Sequence, residues 1–484
     1  MDRRIFCLAL FFLTACNWQR PPDNSTLDTG NTGVPVSLTV MTFNIEWGGK
    51  HISFENVVEA IRRSGADIVG VQEAEGNLQE LAAALEWSFD ERNYVISRFE
   101  LVDPPVADGK YVLVEVRPGE VIAVSNVHLP SEQYGPDLLR AGASATEVIG
   151  TERQVRMPML NSYLERLADI VGAGVPIFVT GDFNSLAHTD GGAGVAWPVS
   201  IAMEKAGFRD SWRAVYPDAV KHPGFTWWAA RPPLEAYAPG EDDPQGRIDM
   251  IWSAGPAFAQ TTALIGERDG RGVTVSVEPW PSDHRGVVTT FDVEPVRLPD
   301  LLSTDRRVYS EGERPEFVYS FTGGDAGQVT VTDIDTDQVM ETFPIRLPRG
   351  RIAISPLTPG RYIAEVTHSS RSYVRKFWVL AEGIQPRIDV LRREFAADEP
   401  VLIHWEGAPG YRNDYIAVYA ADSAEEDREM LGYAYVNALP EGELDLRKGV
   451  AASGGVLQPG SYIAKLMKDD GYEVLAETRQ FEIR

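Results

Sequence analysis

Asp182 and Asn184 stand two residues apart in "GDFNS" (181–185), directly after the apolar run "VPIFVT". Where a buried strand ends, alternate side chains point the same way, so the acid and the amide reach one spot while Phe183 turns back into the core. An acid and an amide converging on one point suit a reaction centre. Gly, Asp, Asn and Ser are also the residues of turns, so the stretch alone leaves both readings open. Other polar residues close apolar strands in the same manner. "TFNIEW" puts Asn44 and Glu46 after one strand, "VQE" puts Glu73 after another, and "NVHL" puts His128 late in a third. "RIDMIW" carries Asp249 in an otherwise apolar run, and "SDHRG" places Asp283 and His284 just before a last strand. His188, in "NSLAHTD", either lines such a site or forms the turn beside it.

The elements that must position these residues alternate between two periods. "VSLTVMTF" reads as a strand, and Phe54, Val57, Val58 and Ile61 then give the i, i+3, i+4, i+7 stripe of a helix starting near Ser53. "DIVGVQ" is a short buried strand followed by a second stripe at Leu78, Leu81, Ala82 and Leu85. "KYVLVEV" and "EVIAVSNVHL" pair across "RPGE", and a longer helix presents Leu160, Leu164, Leu167 and Val171 before the strand that ends in "GDFN". "RIDMIW" and "GVVTTF" close the region near 296. Hairpins mixed with crossover helices predict an α/β domain with mixed β-sheets over 36–296.

Beyond 297 the helical period stops. "LTPGRYIAEV" (357–366) returns as "LQPGSYIAKL" (457–466), identical at the Leu, Pro, Gly, Tyr, Ile and Ala positions. That match points to a duplicated unit. Alternating strands in each copy predict two small all-β, Ig-like sandwich domains, 297–382 and 383–484.

The constellation from Asn44 to His284 resembles the endonuclease/exonuclease/phosphatase superfamily, whose members include deoxyribonuclease I, sphingomyelinases and inositol polyphosphate 5-phosphatases. The resemblance covers about 36–296 and implies a four-layer α/β sandwich with two mixed β-sheets. It also implies hydrolysis of a phosphate ester with Mg²⁺ or Mn²⁺. A phosphoester is already anionic and gains charge on attack, so its site must supply cations and hydrogen-bond donors. Hard oxygen ligands suit Mg²⁺. By this resemblance Glu73 is the main metal ligand, with Asn44, Glu46 and Asp283 completing the shell; Glu46 stands where some members have Asp. Asp182 takes the proton from the attacking water or orients it, and Asn184 bonds the phosphate or that water. His284 donates to a phosphoryl oxygen while Asp249 holds its other nitrogen, and His128 approaches near the leaving group.

Composition narrows the substrate. The chain has 484 residues, about three domains' worth, and a net charge of −26. Such an excess of acids argues against a nucleic-acid partner, because phosphate backbones are gripped by Lys and Arg. The loop "KHPGFTWWAARPPLEAYAPGEDDPQG" sets Trp227, Trp228 and Tyr237 beside a run of acids, which favours a small or lipid-like phosphate ester over DNA. A secreted-type nuclease, and a binding lipoprotein with a relict enzyme domain, are the competing readings. Both cysteines lie in "MDRRIFCLALFFLTAC", where a basic start, an apolar stretch too short to span a bilayer and small residues precede Cys16. "LTAC" resembles the lipobox of bacterial lipoproteins, which implies lipidation of Cys16 and removal of the residues before it. Residues 1–16 are then the signal segment and the polar stretch 17–35 a flexible tether. Asn17 follows the cysteine where inner-membrane retention uses Asp, so the expected place is the cell envelope, at the outer membrane.

Overall fold

The computed structural model describes residues 33–191, 194–232, 245–324, 327–421, 430–452, 455–469 and 471–484. Cys16 with its lipobox, the tether up to residue 32, Tyr237 and the acids of 241–243 lie outside the described residues. The longer strands of the first unit are β1 (Val36–Asn44), β2 (Ile68–Gln72), β3 (Val112–Arg117), β4 (Glu120–His128), β5 (Ile177–Asp182), β6 (Asp249–Ala254), β7 (Ala257–Gly266) and β8 (Gly286–Val293). One sheet runs Val273–Ser276, β7, β8, β1, β2, Val95–Ser97, Ser88–Asp90. The other runs Glu100–Val102, β3, β4, β5, β6, Arg209–Asp210, with Val296–Arg297 added beside β4. Both are mixed. β1 and β2 are parallel, as are β4 and β5, whereas β8 pairs β1 and β6 pairs β5 antiparallel. Each of these two parallel pairs needs a crossover, and the helices Phe54–Ser64 and Met157–Gly172 supply them.

Three apolar layers follow from this topology. Leu38, Val40, Ile68, Val124, Phe178, Ile251 and Phe291 fill the space between the sheets. Val57, Ile61 and Leu81 cover the outer face of the first sheet at Phe43 and Val71, while Leu160 and Leu167 cover the second at Val127 and Val179. The result is helix, sheet, sheet, helix, a four-layer α/β sandwich. In Phe54–Ser64 the Ser53 hydroxyl accepts from the Asn56 backbone N–H, closing the first turn. In Met157–Gly172 the buried stripe is Leu160, Tyr163, Leu167 and Ile170, and Leu164 and Val171 are only half-buried. The apolar pattern admits both stripes; the helix turns to bury the Tyr163 ring.

Toward the strand ends the layer between the sheets becomes polar and tight. Gln72 Nε2 donates to Asn126 Oδ1 at 2.6 Å, Thr180 Oγ1 donates to the same oxygen at 3.0 Å, and Asn126 Nδ2 donates to the Val71 carbonyl at 2.8 Å. A Cβ on Gly70 would lie 1.9 Å from Thr180 Oγ1, so the sheets approach this closely only across a glycine.

The chain continues into two β-sandwiches. In the first, Leu301–Thr304, Glu316–Ser320 and Arg349–Ala353 pack on a sheet that contains Gly360–His368 and Arg371–Leu380, around Phe317, Tyr362 and Phe377. In the second, Arg387–Val390, Leu402–Glu406 and Gly442–Asp445 pack on a sheet that contains Tyr415–Ala420 and Gly460–Met467, around Ile403, Trp405 and Phe481. The two matching decapeptides form the same device. Tyr362 donates its hydroxyl to the Thr358 carbonyl at 2.6 Å, and Tyr462 donates to the Gln458 carbonyl at 2.5 Å. A tyrosine tied back to the backbone a few residues upstream is a feature of Ig-like sandwiches.

Both sandwiches touch the first unit. Buried Asp103 receives Arg92 at 2.8 Å from its own unit and Arg375 at 2.9 Å from the first sandwich. Asp469 of the second sandwich accepts the Gly76 N–H at 2.5 Å, and Arg412 donates to the Asn126 carbonyl at 3.0 Å.

Candidate active site

Strand register gathers the site. In the second sheet His128 pairs with Asp182, and Asp182 pairs with Asp249, so the three lie side by side across β4, β5 and β6. Residues opposed in this way present their side chains on one face. Gly181 is needed for that approach, since a Cβ there would meet the Val127 carbonyl at 2.3 Å. Across the interface Asn44 ends β1 in register with Gln72, and Glu73 follows directly. The two sheets therefore deliver Asn44 and Glu73 from one side, and His128, Asp182 and Asp249 from the other, to a common edge.

His284, on the loop before β8, lies in the middle. Its Nδ1 is 2.9 Å from Asp249 Oδ2, and its Nε2 is 3.7 Å from Asp182 Oδ2, 3.8 Å from Asp283 Oδ1 and 3.4 Å from Asn44 Nδ2. Burial opposes a charged ring, but the surrounding Asp249, Asp283 and Asp182 win and hold the His284 pKa well above its ordinary value. Asp182 is pushed up, by burial first and by Asp249 second, against the pull of His284 and His128. A carboxylate so placed is a better proton acceptor than a solvated one. His128 Nε2 reaches 3.7 Å from Asp182 Oδ2 and 3.9 Å from Glu73 Oε1, at the partly open rim.

Several residues hold this arrangement. Asn184 gives its backbone N–H to Asp182 Oδ1 at 2.8 Å and its amide to the Leu129 carbonyl at 2.9 Å, which fixes Asp182 against the end of β4. Asn44 Nδ2 donates to Glu73 Oε1 at 2.8 Å and to Asp182 Oδ2 at 3.2 Å, while its oxygen accepts the Glu46 N–H at 3.0 Å. Asn44 thus turns its nitrogen to the carboxylates. Both oxygens of Glu46 are engaged, one by Arg231 at 2.5 Å and the other by the Asp283 N–H at 3.0 Å. Burial and Asp283 raise Glu46 to about 7, with Arg231 opposing. Glu46, Glu73 and Asn184 all have positive φ, of 54°, 55° and 47°. Backbone in that region costs an L-residue about 1–2 kcal/mol, and it turns these side chains inward at the ends of β1, β2 and β5.

The donor set is rich in carboxylate oxygen and has no thiol, which fits a hard divalent cation. Glu73, Asp283 and Asp182 offer oxygens to the common edge, and Asp182, Asp249 and His284 also present ligand atoms within 4.8 Å of one another. In that last trio Asp249 Oδ2 and His284 Nδ1 already face each other as acceptor and donor, the arrangement of an oriented imidazole.

Sequence motifs miss part of the site. Ser282 Oγ donates to the Asn44 carbonyl at 2.7 Å and accepts the His284 N–H at 3.0 Å, so the serine of "SDH" ties the His284 loop to β1. Trp227 Nε1 donates to Asp283 Oδ2 at 3.2 Å and therefore orients a carboxylate; Thr226 Oγ1 accepts the Asp249 N–H. The Tyr134 hydroxyl is buried beside Asp182, with no hydrogen-bond partner among the described residues. Tyr134 and Arg231 belong to none of the strand-end motifs: Arg231 lies in the Trp-rich loop and Tyr134 six residues past His128, and their residue types alone do not single them out. His188 is outside the cluster, held by Ser200 at 2.8 Å and Glu204 at 3.1 Å.

Residues 41–284 match the Endonuclease/Exonuclease/phosphatase family, just over half of the chain. An uncharacterized Caenorhabditis elegans protein, F14F9.5, is 26% identical over 290 residues, 52% of this chain and 91% of that protein. Among solved structures, D. rerio TDP2 complexed with a single-strand DNA product is 17% identical with a TM-score of 0.34, covering 53% of this chain and 98% of that one. The Bacteroides thetaiotaomicron mannosyl-6-phosphatase Bt3783 is 14% identical with a TM-score of 0.31, covering 52% and 99%.

Proposed function

This chain belongs to the endonuclease/exonuclease/phosphatase family, and on that premise we propose that it is a phosphoesterase that hydrolyses a small or lipid-like phosphate ester by attack of water at phosphorus. The observation that carries the reading is the Asp182, His284, Asp249 line, an acid with raised basicity beside an imidazolium held by a second acid. Asp182 accepts the proton of the attacking water as its oxygen bonds to phosphorus. His284 donates from Nε2 to a phosphoryl oxygen, where charge grows during attack. Its Nδ1 stays on Asp249, which fixes the ring. The bond from phosphorus to the leaving oxygen breaks on the His128 side, and His128 steadies that oxygen or gives it a proton. Asn184 and Asn44 hold Asp182 in line. A divalent cation, Mg²⁺ or Mn²⁺, supplies charge neutralisation at the phosphoryl oxygens when bound; Glu73 and Asp283 are its proposed ligands, with Asn44 and Glu46 positioning them.

The excess of acids over bases in the whole chain supports a small ester over a polyanion. A lipid anchor at Cys16 and a place at the outer membrane are part of the same proposal and rest on the sequence. The decisive experiment is a panel of phosphomonoesters, phosphodiesters and plasmid DNA, with and without EDTA. Hydrolysis of a small ester that EDTA and His284→Ala both abolish supports the proposal. Cleavage of plasmid alone, or no cleavage in the presence of metal, overturns it. Replacing Cys16 by Ser should release the chain from the membrane fraction, and unchanged fractionation would remove the anchor.

A further inference from the structure

A cavity of about 70 Å³ lies between the first unit and the second β-sandwich, and it opens on Glu73 and His128. Its walls are Lys110 and Tyr163 from the first unit, and Arg412, Asn413 and Asn437 from the sandwich. Lys110 Nζ lies 4.3 Å and the Arg412 guanidinium 4.9 Å from the centre of the same buried Tyr163 ring. Two cations are thus held against one aromatic side chain in a half-enclosed space.

The loop that brings Arg412 here is built to a fixed shape. Asp414, fully buried, accepts the N–H groups of Gly410 at 3.1 Å, Tyr411 at 3.0 Å and Asp469 at 3.1 Å. Asp469 in turn accepts Gly76 N–H, three residues after Glu73. The guanidinium itself donates to the carbonyl of Asn126. His128 is two residues further along β4, about 7 Å at strand spacing. Arg412 is therefore fixed near the reaction edge by contacts on both sides of the interface.

Resting on the phosphoesterase reading, we propose that Arg412 and Lys110 bind a second anionic group of the substrate, so that the second β-sandwich completes the substrate site. The substrate is then a compact phosphate ester with another phosphate or carboxylate about one sugar ring from the scissile phosphorus. The cavity has room for several waters or one such anion. The acids at its walls are Asp108, Asp469 and Glu73, and its third cation, Arg92, is held by Asp103 at 2.8 Å. Burial first and repulsion from Arg412 second bring Lys110 down to about 7, with Asp108 opposing. An anion between the two cations would relieve that repulsion.

Two measurements on the full-length chain test this. The first is binding of inorganic phosphate by calorimetry in EDTA, using His284→Ala to remove the reaction-centre donor. This variant should still bind phosphate, and adding Arg412→Ala should weaken binding at least tenfold, while Arg412→Lys should retain most of it. Equal affinity with and without Arg412→Ala overturns the proposal. Lys110→Met gives an independent reading if the Arg412 variants melt early, and an unchanged affinity there also overturns it. The second is kcat/KM on hydrolysed substrates. Arg412→Ala should raise KM about tenfold more for a sugar bisphosphate than for p-nitrophenyl phosphate; an equal loss on both overturns the proposal and makes Arg412 a docking residue only. If no ester is turned over, the phosphoesterase reading fails, and phosphate binding still decides the role of Arg412.

Discussion

Asp249 Oδ2 lies 2.9 Å from His284 Nδ1, and the other oxygen of this fully buried carboxylate has no hydrogen-bond partner among the described residues. A buried acid is held against one imidazole nitrogen, and the other nitrogen is left facing the common edge.

The pair should set the alkaline limb of the rate profile. His284 has a raised pKa and in the proposed mechanism acts as the imidazolium, so activity should fall as pH rises through that pKa. Asp249→Asn removes the charge that favours protonation, so the limb should move to lower pH, with a loss at neutral pH of about 10²-fold. His284→Ala should lose as much or more, and the double variant should be little worse than His284→Ala alone. Multiplying losses, or a limb that stays in place, would withdraw Asp249 from the mechanism.

Glu73→Gln keeps the shape of the side chain and its contact with Asn44 but removes a full negative charge. The concentration of Mg²⁺ or Mn²⁺ giving half activity should rise about 10-fold to 100-fold, and the maximal rate should fall. A metal titration that superimposes on the wild type would exclude Glu73 as a ligand.

Gly70→Ala should strike the fold, because the added Cβ would sit 1.9 Å from Thr180 Oγ1 and 2.6 Å from Asn126 Oδ1. Forcing the sheets apart should cost about 3 kcal/mol, read as an earlier unfolding transition in urea. Adding Thr180→Ala removes the nearer clash and should recover part of the loss. Independent effects of the two changes would show that the sheets do not meet there.

Asp103 joins the first unit to the first sandwich. Burial raises its pKa, but Arg92 and Arg375 outweigh that and bring it down to about 2. A depressed acid stabilises the fold above its unfolded pKa of about 3.9, and that contribution should be lost as pH falls from there toward 2. Asp103→Asn would leave two buried guanidinium groups facing an amide and should cost about 3–5 kcal/mol. Limited proteolysis should then cut between the two units. Protection equal to the wild type would place the interface strength elsewhere.

The sequence marks a residue well where the chain itself changes character. β1, β2, β4 and β5 are mostly apolar, so the polar or charged residues Asn44, Glu73, His128 and Asp182 stand out at or just past their C-terminal ends. Asp249 and His284 are legible for the same reason. Arg231 is not, because its partner Glu46 is supplied by the opposite end of the unit. Tyr134 and Arg412 owe their places to packing between distant segments, which leaves no local pattern. The helix Met157–Gly172 shows a milder form of this limit, since its period fixes a stripe but not which side of the stripe turns inward.

The tyrosine hooks at Tyr362 and Tyr462 show one structural device set in two unlike surroundings. One copy is riveted to its neighbour by salt at Asp103, and the other carries the Gly410–Asp414 loop to the rim of the cleft. The two share a strand framework but fill it differently, with Phe317 and Phe377 beside Tyr362 in one and Ile403, Trp405 and Phe481 beside Tyr462 in the other, and their contacting loops differ as well. A graft of either sandwich onto a relative should fit its new neighbour only if the contacting loop travelled with the surface it was cut to match.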